Sequence, residues 1–426
     1  MKDAVGQALT GANAQALDLL EQGLHQFRCL NGDPLASAEA ALAAAPELVM
    51  GQVLKAWLLL LSTEAPALAP ARAALAAAQA LPHNAREALH LRAIEALCKG
   101  RWHEAGRVLE DLSCDYPLDA LALQAGQQID FFTGDARMLR DRMARVLPDW
   151  SAALPGWHAV LGMYAFGLEE NGDYRHAEQL GREAVALQPQ DAWAQHAVAH
   201  VMEMQGRRRE GMAWMRDNAG WQQGSFLGVH NWWHLALYHL AEGEHEEVLA
   251  LYDGPINGPH STIVLELVDA SALLWRLQLV GVDVGARWAT LAERWAPHAA
   301  SANYAFNDMH AGMAFACAGR EDLVRELRAA QALALRSADD NAAFLREVGQ
   351  PATEAVLAFT AGQYRRAGEL LRPLRSHAHR FGGSHAQRDL LDQTLIRAAD
   401  AGGDAALARA LLSERRALAE QRAVQH

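Results

Sequence analysis

His158-Ala-Val-Leu-Gly-Met-Tyr-Ala-Phe-Gly-Leu-Glu-Glu-Asn-Gly172-Asp-Tyr-Arg-His-Ala-Glu-Gln-Leu-Gly-Arg-Glu-Ala-Val-Ala-Leu-Gln-Pro189-Gln-Asp191 reads as two helices folded back on one another. Gly172-Asp173-Tyr174 forms the turn, Ala165 and Ala177 let the helices approach, and Pro189 ends the second. The next stretch, 192–225, places Ala199, Gly206-Arg207 and Gly211 in the corresponding positions. An earlier one, 86–119, does so with Ala93, Gly100-Arg101-Trp102, Ala105 and Pro117. Looser units turn at Gly243-Glu244, Gly319-Arg320 and Gly362-Gln363-Tyr364. A recurrence of about 34 residues is the spacing of tetratricopeptide repeats. The expected fold is therefore all-α, a superhelical solenoid of tetratricopeptide-like helical hairpins, with helix over more than about 60 per cent of the chain. The expected division is 1–85, weakly repeat-like hairpins; 86–375, the repeat array; and 376–426, capping helices.

Composition agrees and excludes several function classes. Alanine, leucine, arginine and glutamate dominate the 426 residues, and β-branched runs are scarce. A formal net charge of −13 argues against nucleic-acid binding through phosphates. No apolar run approaches the roughly 18 residues of a membrane span, and Met1-Lys2-Asp3-Ala4 lacks a signal-peptide pattern. Cys29, Cys98, Cys114 and Cys317 are dispersed and read as small buried residues of a reduced, cytoplasmic protein. A homodimer is left open.

The chemistry lies in two His-x-x-x-His segments on first helices of the repeats: His196 to His200, followed by Glu203, and His230 to His234. Four residues is just over one helical turn, so each pair points one way. His196, His200 and Glu203 fall at positions 5, 9 and 12 of their unit, within an arc of roughly 60°. His230, Trp233 and His234 take positions 2, 5 and 6 of the next, and His310 takes position 6 of a later one. In proteins that this repeat resembles, positions 2, 5, 9 and 12 line the concave groove. The histidines are thus expected to face a common cavity, with His310 approaching from a later repeat.

Neutral imidazoles and a carboxylate suit a divalent metal such as zinc, manganese or iron, with His196, His200, Glu203, His230 and His234 as ligands. Asp308 or Asp269 could add oxygen ligands or orient the histidines. Ala197 stands where a zinc protease would carry glutamate, so that mechanism is not supported. Without metal, His196, His200, His230, His234 and His310 could act as general acids and bases. Tyr164, Trp233, Asp308 and Arg388 are the expected substrate contacts, Arg388 as an anion clamp. Glu169 and Glu170 read as a solvated helix end. Ser384, His385 and Asp389 have the chemistry of a hydrolase triad on paper, but a serine N-cap explains them as well. His158, His176, His245 and His260 read as packing or surface residues. The glycine-rich run 218–228, with Trp221 and Phe226, reads equally as a site cover or a connector, and Gly254–Pro259 is a second irregular segment.

Several longer strings resemble the tetratricopeptide repeat protein 38 family. They are Leu161-Gly-Met-Tyr-Ala-Phe-Gly-Leu-Glu-Glu170, Asp191-Ala-Trp-Ala-Gln-His-Ala-Val-Ala-His-Val-Met-Glu-Met-Gln-Gly-Arg207, His230-Asn-Trp-Trp-His-Leu-Ala-Leu-Tyr-His239, Leu274-Trp-Arg-Leu-Gln-Leu279, Tyr304-Ala-Phe-Asn-Asp-Met-His310 and Gly382-Gly-Ser-His-Ala-Gln-Arg-Asp389. The likeness covers about residues 85–400 and implies an all-helical repeat fold, without a settled reaction. The leading expectation is a small polar or acidic ligand in a histidine-rich concave pocket, with metal-assisted or acid–base hydrolytic chemistry. The alternative is a scaffold that holds a peptide or partner protein. Peptide-holding grooves of this repeat usually display Lys, Arg and Asn, whereas this one displays His and Trp.

Overall fold

The computed structural model describes residues 1–258 and 261–424; Pro259, the end of the second irregular segment, and His260, read as a packing or surface residue, lie outside the described residues. Helix makes up 75% of the chain. Among the described residues there is no strand, only isolated bridges between Lys2 and Ala8 and between Asn31 and Ser225. No helix among the described residues is long and apolar enough to cross a membrane. The chain forms two units, one of Met1–Val201 with Arg216–Gly228, the other of Met202–Met215 with Val229–His426.

In the first unit consecutive helices pack as antiparallel neighbours: Ala14–Cys29 on Pro34–Ala44, Ala85–Cys98 on Trp102–Asp115, and Trp157–Glu170 on Tyr174–Leu187. The turn at Gly172 shows why local chemistry suffices. Its φ of +81° is one that a side chain would resist, and its amide donates to the Glu169 carbonyl, closing the helix end. Asn84 caps Ala85–Cys98 in a reciprocal box with Glu87. Glu87 also accepts from the amide and hydroxyl of Thr10, which ties down the N-terminal segment. A further hairpin, Ala120–Phe132 with Ala136–Val146, turns at Gly134-Asp135, where the repeat reading had placed nothing.

One buried polar network in this unit joins Trp57, His90, Asp119 and Arg86. Trp57 Nε1 can only donate, so His90 Nδ1 accepts it and His90 Nε2–H donates to Asp119 at 3.0 Å. Asp119 also accepts from Arg86 and from the Ala122 amide. Burial opposes that carboxylate, but His90 and Arg86 outweigh it and hold its pKa below the usual range. The glycine-rich run 218–228 is tied to the turn after Ala14–Cys29. Gly32 N–H donates to Gly224 O, Phe226 N–H and the Ser225 hydroxyl donate to Leu30 O, and Trp221 is fully buried.

In the second unit Ala305–Cys317 packs on Glu321–Ala334 and Gln350–Thr360, and Val264–Leu279 packs on His385–Ala401. Gly211 lets the Tyr238 ring approach; a Cβ there would lie 2.3 Å from it. Two cysteines match the buried reading, Cys29 and Cys98, whereas Cys317 is half-buried and Cys114 is exposed.

Candidate functional site

In the first unit the site is built by two helices, Trp157–Glu170 and the part of Ala192–Met204 up to Val201. Glu169 and Glu170 stand three and four residues after Phe166, on the face that Phe166 turns inward. His196 and His200 lie one turn apart, their ring centroids 4.3 Å apart. Phe166 stacks on His196 at 5.4 Å and meets His200 edge-on at 5.3 Å, and Trp193 packs against both Phe166 and His196, at 4.8 and 4.9 Å. His200 Nδ1 lies 3.6 Å from Glu169 Oε2. Glu169, Glu170 and His200 each offer a ligand atom, and these lie within 4.8 Å of one another. Glu169 is 1% exposed and Glu170 5%, so the expected solvated helix end is a buried carboxylate pair. The sequence signal missed there is that a neighbouring helix covers this end.

In the second unit His230 and His234 are again a turn apart, with ring centroids at 4.9 Å. His230 Nδ1–H donates to both oxygens of Asp269 at 2.9 Å, which fixes the tautomer and the orientation of the ring. This is how carboxylates orient metal-ligating or acid–base histidines. Trp233 stacks on His230 at an interplanar angle of 14°, and the Arg276 guanidinium lies 5.1 Å from the Trp233 ring centroid. Arg276 is buried and donates to the Ala386 and Ala272 carbonyls. It went unnoticed because an arginine in an apolar string gives no periodic signal. Burial lowers its pKa, while Asp389 and Glu203 support its charge.

Glu203 lies 2.8 Å from His234 Nδ1. Burial pushes the Glu203 carboxyl up to about 8, with Arg276 pulling it down and Asp389 adding to the rise. Burial, His230 and Arg276 all push His234 well below its ordinary value. The Glu203 carboxyl is therefore the group that holds the shared proton near neutrality, donating it to His234 Nδ1. The consequence for stability has a definite sign. The folded carboxyl keeps its proton up to about 8 and the unfolded one only to 4.5, so stability falls as pH rises across that window. His234 acts on the other side, since the unfolded chain takes up a proton near 6.5 that the folded chain refuses. Glu203→Gln should flatten the alkaline arm, measured as the change in Tm between about pH 6.5 and 8.5. Burial also pushes Asp308 up to about 7, so part of the slope should persist. An unchanged slope would remove the proton from Glu203.

The remaining candidates sit as follows. His310 is buried and its Nδ1–H donates to the Phe306 carbonyl at 2.9 Å, leaving Nε2 unprotonated; burial lowers it to about 4. Asp308, two residues earlier, faces another way and accepts from Gln331 at 3.3 Å. Tyr164 packs on the apolar cluster of Leu123, Met143 and Val160. Arg388 donates to the Gly383 carbonyl. Ser384 caps His385–Ala401 and Asp389 pairs with Arg415, so neither is arranged as a triad member. His176 is paired with Asp173 at the exposed surface. A small cleft of about 30 Å³ is lined by Asp3, Arg28, Arg86 and Asp119 and by none of the candidate histidines. No protein-family model matches the chain.

Proposed function

We propose that the protein is a tetratricopeptide-like solenoid, similar to the protein 38 family, that binds a small polar or acidic molecule at its buried histidines. Acid–base or metal-assisted hydrolytic chemistry acts on that molecule in the cytoplasm. One observation carries this reading: each unit buries ionisable side chains in contact with paired histidines. Taking a carboxylate or guanidinium out of water costs several kcal/mol per ion even after relaxation. Helix stacking by itself does not require that cost.

Two chemistries follow from the residues. Glu169, Glu170 and His200 offer two carboxylates and an imidazole, a donor set that suits manganese, iron or zinc. Glu203, His234, His230 and Asp269 offer a proton donor and oriented imidazoles. Arg276 supplies the positive charge that favours an acidic ligand.

The test is elemental analysis of the purified chain with calorimetric titration of Mn²⁺ and Zn²⁺ into wild type, His200→Gln, Glu170→Gln and His234→Gln. Because His200 and His234 are fully buried, glutamine is preferred to alanine, which would leave a cavity. Loss of affinity by about tenfold or more in His200→Gln and Glu170→Gln, with helix content retained, supports the metal centre. Lower Tm with binding unchanged would make these histidines hydrogen-bonded core residues and end the proposal.

A further inference from the structure

His25 and Cys29 lie on one face of the helix Ala14–Cys29, four residues apart, with Cys29 Sγ 3.9 Å from His25 Nε2. His158, at the start of Trp157–Glu170, brings its ring to 6.3 Å from that of His25 at a steep 75°. One ligand atom from each of the three lies within 4.8 Å of the others. All three belong to the first unit and none takes part in the histidine site above.

Asp191 makes the arrangement specific. One of its oxygens accepts from the Ala194 amide at the head of the next helix. The other accepts from His158 Nδ1–H at 2.7 Å. That hydrogen bond fixes the tautomer and leaves the Nε2 lone pair of His158 for a ligand, as in the carboxylate–histidine–zinc relay. The dispersed cysteines gave no hint of this, because metal-ligand spacing in sequence needs a nearby second pair, and here the partner is more than a hundred residues away.

We propose that His25, Cys29 and His158 bind a divalent cation of zinc-like character, with Asp191 as the positioning residue for His158. One thiolate and two imidazoles are a zinc donor set, and three protein ligands leave the fourth tetrahedral position to water. Ligand atoms around tetrahedral zinc stand about 3.5 Å apart. His25 is exposed and can swing the few tenths of an ångström that its 3.9 Å contact needs. Binding exchanges the thiol proton for the metal and releases it to water: Cys29–SH and M²⁺ give Cys29–S–M⁺ and H⁺.

The surrounding charges fit a cation better than a free reactive thiol. Burial, with the Asp191 carboxylate adding to it, pushes the Cys29 thiol up to about 12, so the metal-free thiol is inert. Burial, Arg28 and His158 hold the His25 imidazole below its ordinary value and therefore neutral, ready to ligate. Arg28 opposes a cation, while the Cys29 thiolate and Asp191 supply two negative charges against it.

Co²⁺ is the probe, titrated into the full chain and followed by absorption. Thiolate ligation gives a sulfur-to-cobalt charge-transfer band in the near ultraviolet with intense visible bands of tetrahedral type, and Zn²⁺ should displace both. A site built from histidine and carboxylate alone gives no such charge-transfer band, so the result is independent of the proposed histidine site. Cys29→Ser should lose the band. Asp191→Asn, which retains a good helix cap, should weaken Co²⁺ binding about 10–100-fold with helix content unchanged. His25→Ala, at an exposed position, should weaken it comparably. Absence of the band in wild type, or its persistence in Cys29→Ser, overturns the proposal.

Discussion

Replacing Arg142 by leucine is expected to destabilise the first unit by about 3–5 kcal/mol. Arg142 is 1% exposed. Its Nε and Nη2 donate to the two oxygens of Asp130 at 2.7 and 2.9 Å, and Nη2 also reaches the Gly106 carbonyl. Even so, burial holds the Asp130 carboxyl above its usual range, with Arg142 only partly countering it. Without the guanidinium, the carboxylate must either stay charged in an apolar surrounding or take up a proton. Urea denaturation of the single variant should show the loss, and the loss should shrink toward acid pH, where protonation relieves the orphaned charge. Arg142→Leu with Asp130→Leu should recover most of it, because a buried ion pair is often replaceable by apolar residues at little net cost. Equal destabilisation of the single and double variants would refute the ion-pair account.

Gly167→Ala should also destabilise, by about 1–3 kcal/mol. Helix propensity alone says the reverse, since alanine is favoured over glycine by about 1 kcal/mol inside a helix. A Cβ on Gly167 would lie 2.4 Å from the carbonyl oxygen and 2.5 Å from the carbonyl carbon of Leu139, on the neighbouring helix Ala136–Val146. Those are backbone atoms, which cannot rotate aside, so the two helices must separate. A higher Tm for the alanine variant would show that they part without loss of packing.

The same contrast separates what was legible beforehand from what was not. Helices and their turns were readable because their causes are local: Gly172, Gly206, Gly243, Gly319 and Gly362 each take positive φ between two helices, at the turns read from spacing. Each histidine pair was readable for the same reason, since i and i+4 share a face whatever the surroundings. Glu169 and Glu170 were misjudged because charge at a helix end is normally solvated, and only a neighbouring helix can bury it. Trp233 was expected in a groove wall, yet it is fully buried, stacked on His230 and in contact with Arg276.

By itself, then, the sequence determined the helical class, the hairpin turns and the facing of residues within each helix, because hydrogen bonding and side-chain sterics over four or five residues decide them. Tertiary structure alone decided which helices approach closely enough to exclude a Cβ at Gly167. It also decided which carboxylates lose their water, and it brought His158 to a cysteine and a histidine far away in the chain. Those outcomes depend on distances between residues remote in sequence and on local dielectric, neither of which spacing along the chain encodes.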